Sequence, residues 1–142
     1  MELARIIYYS TPMLEGRVQT SIADEIDVIL HTSRIRNKKH DITGALFFAP
    51  KLFAQILEGP IDVVSTRYAS ICRDSRHTAI TLSLREQIES RIFNDWSMAY
   101  LDEMFLSGPI SPKFNPIEDL NPKELTPEDW MEFYRSAHKY LR

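Results

Sequence analysis

Few residues in this chain have the types and spacing that chemistry needs. Cys72 precedes His77 by five positions, a pair that would make a thiolate nucleophile if the fold brought it together. Cys72 falls on the flank of an apolar helical stripe, however, where a buried, inert thiol is the expectation. The four histidines, His31, His40, His77 and His138, are dispersed without metal-ligand spacing. The carboxylate pairs in "LDE" and "PED" read as solvated ends and helix caps. The four glycines, at 16, 44, 59 and 108, are isolated, so no phosphate loop is encoded.

The remaining candidate is an amide where an apolar side chain belongs. In "FAQILEGP", Phe53 to Pro60, Gln55 stands among apolar residues. A half-buried amide is a cost unless something hydrogen-bonds it. Strand alternation puts Phe53, Gln55 and Leu57 on one face, and Ala4, Ile6, Tyr8 and Ser10 on one face of the first strand. Trp96, Met98 and Tyr100 share a face of the last. If these sides face the helices, a tyrosine, an amide, a thioether and an indole converge. Two readings stay open on pattern alone. One is a core in which Gln55 bonds the backbone or the Tyr8 hydroxyl. The other is a pocket for a flat polar ligand whose edge the amide reads. Asn37 reads equally as a plain C-cap, and Arg76 and His77 as parts of a solvated loop.

The elements that would position these residues are legible. "LARIIYYS", Leu3 to Ser10, is a strand ended by Pro12. "SIADEIDVILHTSRIRN" is a helix with Ser21 and Asp24 as an N-terminal cap and Ile22, Ile26, Ile29, Leu30 and Ser33 on one face. "DITGALFFAPKLFAQILEG" is a hairpin turning at Ala-Pro-Lys. "PIDVVSTRYASICRDS" is a second helix, with Pro60 in its first turn and Ile61, Val64, Tyr68 and Ile71 as its apolar stripe. "TAITLSLREQI" and "DWSMAYLDE" are two further strands. This order predicts an α+β, ferredoxin-like sandwich: a mixed sheet with two helices on one face, a right-handed first crossover and an antiparallel middle hairpin. Five of the eight prolines lie between Pro109 and Pro127, so that segment should be extended and irregular. A C-terminal helical extension then starts at Thr126 as cap and Pro127 as first residue. Its apolar face, Trp130, Phe133, Tyr134, Ala137 and Leu141, must cover either the open face of the sheet or a partner.

Composition narrows the class. With 142 residues, 44% of them hydrophobic, the chain can build one domain with a real core. A net charge of -3 gives no support for a nucleic-acid binder. A single cysteine excludes an internal disulfide. Neither a signal peptide nor a long apolar run is visible, so a soluble cytoplasmic protein without membrane contact is expected.

The quoted pieces, "RIIYYS", "SRIRN", "DITGALFF", "FAQILEGP", "RDSRH" and "RIFNDWSM", resemble the BLUF family of blue-light sensors in order and spacing, from about Arg5 to Met98. The family's fold is the one read above. The resemblance implies a bacterial photoreceptor, not an enzyme, with a non-covalent FAD, or FMN or riboflavin in its stead. It implies that Tyr8 is the electron and proton donor, Gln55 the switch amide, and Trp96 and Met98 the relay. It assigns Arg36 and Asn37 to the ring edge, Asp74, Arg76 and His77 to the ribityl and phosphate end, and Ile22 and Ile29 to ring packing. Asp41 departs from the pattern, because the family often has glycine before "ITG"; an altered loop is the expectation. On this reading residues 1–104 are the photosensor domain, and residues 105–142 belong to the same unit and offer an output surface. The residues after Met98 are too few for an effector domain, so the implied partner is a separate effector protein, with a cyclic-di-GMP phosphodiesterase as candidate, and a homo-oligomer is expected. The alternative is a light-insensitive ferredoxin-like regulator or an acylphosphatase-like hydrolase, which would need an anion-binding loop.

Overall fold

The computed structural model describes residues 2–14, 22–102, 105–106 and 112–141. Strand β1 (Leu3–Pro12) leads to helix α1 (Ile22–Lys39), the hairpin β2 (Thr43–Ala49) and β3 (Leu52–Pro60), helix α2 (Ile61–Cys72), strands β4 (His77–Ile88) and β5 (Ala99–Leu101), and helix α3 (Pro127–Tyr140). The sheet order is β4-β1-β3-β2-β5. β1 runs antiparallel to β3 and β4, β2 antiparallel to β3, and β5 parallel to β2. β1 and β2 therefore point the same way, as a crossover through α1 requires. The mixed sheet with two helices on one face is the architecture that the pattern predicts.

The sheet has two covered faces. Ile6, Leu46 and Leu57 pack under α1 and α2 with Ile26, Leu30 and Val64. Ile7, Phe47, Ala54 and Ile56 pack under α3 with Trp130, Phe133 and Tyr134. The apolar face of α3 thus covers the open side of the sheet. Thr126 and Asp129 cap it reciprocally, side chain to backbone N–H in both directions. Burying each of its large side chains stabilises the fold by roughly 1.5–3 kcal/mol.

Element ends differ from the sequence reading in three places. α1 continues to Lys39, so Asn37 sits inside the last turn and is not its cap. Pro60 closes β3 and stands before α2. The last strand is short, and Trp96 precedes it. Residues ahead of β5 satisfy their backbone elsewhere: Trp96 N–H donates to Phe93, and the Trp96 carbonyl accepts from Gly44 N–H, 3.0 Å each. The Ser21 cap and part of the proline-rich segment lie outside the described residues. Its described part forms single turns at Pro112–Phe114, Ile117–Asp119 and Pro122–Glu124.

One buried ion pair joins the strands. Glu58 on β3 is fully buried and lies opposite Arg5 in the β1–β3 register. It accepts from Arg5 Nε and Nη2, 2.8 Å each. Arg5 Nη1 reaches Glu86 on β4, also at 2.8 Å. Glu58 further accepts from Ile92 and Phe93 N–H, both at 2.9 Å, which fastens the chain ahead of β5 to the sheet. Removing one partner of such a pair leaves an uncompensated buried charge and costs about 3–5 kcal/mol. Glu58→Leu should lose about that much in urea unfolding, and Arg5→Met combined with it should recover part. A single variant as stable as the parent would contradict the assigned role.

Candidate functional site

The β1–β3 register sets Tyr8 directly opposite Gln55, and β2 sets Leu46 on its other side. All three side chains point toward α1 and α2, because strand alternation sends their neighbours Tyr9, Ala54 and Phe47 to the α3 face. The Tyr8 hydroxyl donates to Gln55 Oε1. Gln55 Nε2 donates to Met98 Sδ at 3.4 Å. A thioether is a weak acceptor, and an amide nitrogen carries two N–H groups. The 94% buried amide thus holds one firm bond, one weak bond and unspent donor capacity facing a cavity.

That cavity encloses about 730 Å³ of empty space out to its open mouth. α1 contributes Ile29, Thr32, Ser33, Arg36 and Asn37; α2 contributes Arg67, Ser70 and Ile71, followed by Asp74, Arg76 and His77. Both sets recur at helical spacing. The sheet supplies the floor: Tyr8, Leu46, Phe53, Gln55 and Leu57. An apolar floor with one amide, roofed by hydroxyls, an asparagine and guanidiniums, fits a flat ring with a polar edge and a polar tail.

The supporting bonds are specific. Asn37 is 2% exposed, and its Nδ2 donates to the Ser97 carbonyl at 2.8 Å. Arg34 Nε donates to the Met98 carbonyl at 2.9 Å. α1 thereby grips the residues ahead of β5. His77 is buried at the start of β4 and not in a solvated loop: ring contacts place Tyr8 and Phe53 beside it. Its Nε2 lies 2.8 Å from the Ile71 carbonyl, which can only accept, so this nitrogen carries hydrogen. In the neutral ring Nδ1 then accepts from Ser10 Oγ at 2.6 Å. Asp74 and Arg76 form a local fork on the rim, with Nη2 to Oδ2 at 2.5 Å. The hydrogen bond from Arg76 holds the Asp74 carboxyl below its usual range. Asp41 takes a left-handed conformation, φ 60°, and pairs with Arg91 at 3.0 Å. Asparagine and aspartate tolerate that region better than most residues.

Among the sequence-derived candidates, the cavity therefore gathers Tyr8, Ile29, Arg36, Asn37, Gln55, Asp74, Arg76 and His77, with Met98 touching Gln55. It excludes two. Ile22, in the first turn of α1, is 42% exposed and does not line the cavity. Trp96 packs against the α3 cluster on the opposite side of the sheet, because the chain ahead of β5 does not follow strand alternation. Cys72 is exposed at the end of α2, not buried. Sequence reasoning missed Arg34, Arg67, Ser70 and the Thr32–Ser33 pair. Their signal was helical spacing of polar residues on faces that ought to be apolar.

Burial, and then the nearby Asp74 charge, raises the pKa of the Tyr8 phenol well above its ordinary value. Burial likewise raises Tyr134 under α3. Burial and a hydrogen bond with Cys72 push Tyr68 up to about 12. The unfolded chain releases the Tyr8 and Tyr134 protons near pH 10.0 and the folded chain keeps them. Stability should therefore fall as pH climbs past that point. Urea midpoints on either side of it, with tyrosinate absorbance as a second readout, check this; tyrosinate appearing in full before unfolding would contradict it.

Comparison with known proteins is consistent with this geometry. A family model, BLUF, described as sensors of blue-light using FAD, matches residues 3–99. The photoactivated adenylate cyclase subunit beta of Euglena gracilis is 32% identical over 97 residues, 68% of this chain and 11% of that protein. The blue light- and temperature-regulated antirepressor BluF of Escherichia coli (strain K12) is 35% identical over 78 residues, 55% of this chain and 19% of that protein. This chain thus spans about a tenth to a fifth of the length of these relatives. The dark-state structure of BlrB, a BLUF protein, superposes with a TM-score of 0.84 at 29% identity, covering 98% of this chain and 97% of that one.

Proposed function

The chain belongs to the BLUF family of blue-light sensors using FAD, and from that premise we propose that the Tyr8–Gln55 pair is its light-operated switch and that the residues around Met98 carry the change to a partner. The carrying observation is the buried hydrogen bond from Tyr8 to an amide whose other end meets only sulfur. The matched domain is a photosensor and not a catalyst.

Asn37, Arg36 and Gln55 would hold the polar edge of the ring, Ile29, Leu46 and Leu57 its faces, and Asp74 and Arg76 its tail. A bound flavin supplies blue-light absorption and an excited state that takes an electron. Tyr8 is the phenol on the cavity floor, and burial keeps it protonated in the dark. Losing an electron makes a phenol strongly acidic, and its proton has one acceptor, Gln55 Oε1. When electron and proton return to Tyr8, the amide has two arrangements open to it. In one, Oε1 accepts from Tyr8 and Nε2 donates to Met98. In the other, donor and acceptor are exchanged, by rotation or by tautomerisation, and the Met98 contact is lost. An amide can do this because it carries both donor and acceptor groups. Two satisfied arrangements of similar energy make a bistable element.

The output is a separate question. Relatives named as a cyclase subunit and an antirepressor carry much longer chains than this one, which supports action on an effector, whether separate or joined. A cyclic-di-GMP phosphodiesterase is one candidate class. The surface proposed to reach it is β5 with residues 105–142, directly downstream of Met98. Among the described residues no helix is long and apolar enough to cross a membrane.

Purified protein should be yellow, and its flavin absorption should move to the red under blue light and return in darkness. Gln55→Leu should bind flavin and show no red shift; a normal photocycle in that variant would sink the switch. Tyr8→Phe should lose the productive donor, as transient absorption would show. Light-minus-dark hydrogen exchange should change at Ser97–Leu101. No change there would remove the proposed route to the output surface.

A further inference from the structure

Helix α1 buries one side and shows the other. Ile26, Leu30 and Asn37 are buried, and Ile29, Thr32 and Ser33 line the cavity. On the opposite side, at helical spacing, stand Asp24, Val28, His31, Ile35 and Lys38, all exposed. Val28 and Ile35 are each 58% exposed, the highest values for large apolar side chains among the described residues. They lie two turns apart with His31 between them. The outer face of a solvated helix is ordinarily polar. This one steps by four and three residues, from 24 to 28, 31, 35 and 38, which is the seam of two helices packed at a shallow crossing.

Charge is segregated along the same helix. Asp24, Glu25 and Asp27 occupy its first part, and Arg34, Arg36, Lys38 and Lys39 its last. That order complements the helix dipole, but the dipole gives no reason for Val28 and Ile35 between the charges. A second helix of the same sequence does. Laid antiparallel and centred on His31, it brings Val28 of each copy to Ile35 of the other. Asp24 then comes beside Lys38 of the second copy at one end, and Lys38 beside Asp24 at the other, as a two-fold axis requires. A parallel pairing would set Asp24 against Asp24 and Lys38 against Lys38, so charge selects the antiparallel arrangement. Opposed helix dipoles agree with that choice.

We propose that this face of α1 is a homodimer interface, in which two copies of the chain pair antiparallel through their first helices about a two-fold axis at His31. The Val28–Ile35 contacts form its apolar centre, and the Asp24–Lys38 contacts set its direction. One helix per copy makes a contact at the low end of protein interfaces, below about 1,200 Å² in total, so association is weak and concentration-dependent. The pairing does not depend on what fills the cavity, which α1 lines with its other side.

Sedimentation velocity on the full chain in darkness, from micromolar to near-millimolar concentration, tests this. The parent should pass from monomer to dimer as concentration rises. Ile35→Glu should stay monomeric throughout and melt close to the parent, because that side chain is mostly solvated in the single copy. Lys38→Glu and Asp24→Lys should each dimerise at least about tenfold more weakly than the parent, since each sets like charges together at both ends of the seam. An equimolar mixture of those two variants should recover the dimer, because opposite charges meet again at both ends of the mixed pair. Added salt should weaken the parent dimer and the mixed pair, and strengthen self-association of each charge variant alone. A parent that stays monomeric at the highest concentration would overturn the pairing. So would a dimer that Ile35→Glu leaves intact, since association would then use another surface. A mixture no more associated than its two components would overturn it too, and that arm decides alone if Ile35→Glu fails to fold.

Discussion

The antiparallel register between β1 and β3 is the constraint on which the rest of the site depends. Side chains alternate along a strand, so a slip of one residue would send Tyr8 to the α3 face and bring Tyr9 under the helices. Hydrophobic pattern alone resists that slip weakly here, because both faces of the sheet are covered and both strands are buried along nearly their whole length. Arg5 and Glu58 supply the missing specificity. They sit opposite each other three positions along the ladder from Tyr8 and Gln55, on the other face. A shifted register would bury both charges without partners, at a cost of several kcal/mol. The ion pair acts as a register lock for a hydrogen bond it never touches.

The two faces of the sheet do different work. The α1–α2 face gives up packing to hold a cavity. Helical positions that would normally be apolar are Thr32, Ser33, Arg36 and Asn37 on one helix and Arg67 and Ser70 on the other. Of the α2 side chains only Val64 is buried. The α3 face compensates with a close-packed aromatic cluster: Tyr9 stacks on Trp130 at 5.9 Å, and Phe114 lies 4.6 Å from Phe133. Helix α3 is therefore half of the core on which the sensor face stands. Output through this region would have to pass through small displacements of packed elements, since detaching the helix would expose Trp130, Phe133 and Tyr134, all fully buried.

This division also explains what was legible in the sequence. Period-two alternation put Tyr8 and Gln55 on one face correctly because β1 and β3 are regular strands through that point. The same rule failed for Trp96, since residues ahead of β5 spend their backbone bonds on Glu58 and on turns, and alternation has no meaning off the ladder. Capping chemistry located α3 to the residue, because Thr126, Pro127 and Asp129 act locally. Ile22 fitted the helical stripe by spacing, yet a first-turn residue can extend past the sheet it would pack on. Arg67 was hidden for the opposite reason. A lone basic residue on a helix reads as solvated, and only the structure shows that its stripe faces a hollow where a core should be.

The chain ahead of β5 is held by bonds of unequal strength, and that inequality limits what the switch can move. Ile92 and Phe93 are fixed by a buried carboxylate from the α3 side. Ser97 and Met98 are fixed through their carbonyls by Asn37 and Arg34 from the α1 side. Against these, the contact between Gln55 Nε2 and Met98 Sδ is the weakest link, an amide donating to a thioether. In the proposed switch, reversing the amide would exchange its bond with Tyr8 and break the Met98 contact, while leaving the carbonyl and carboxylate anchors in place. Met98 can then change its side-chain position while the main chain around it stays tethered. On the proposed route the displacement would pass to β5, which is only three residues long and bonded along one side to β2. A short edge strand is among the least costly parts of a sheet to shift, so the smallest bond change in the site adjoins the element that yields most easily.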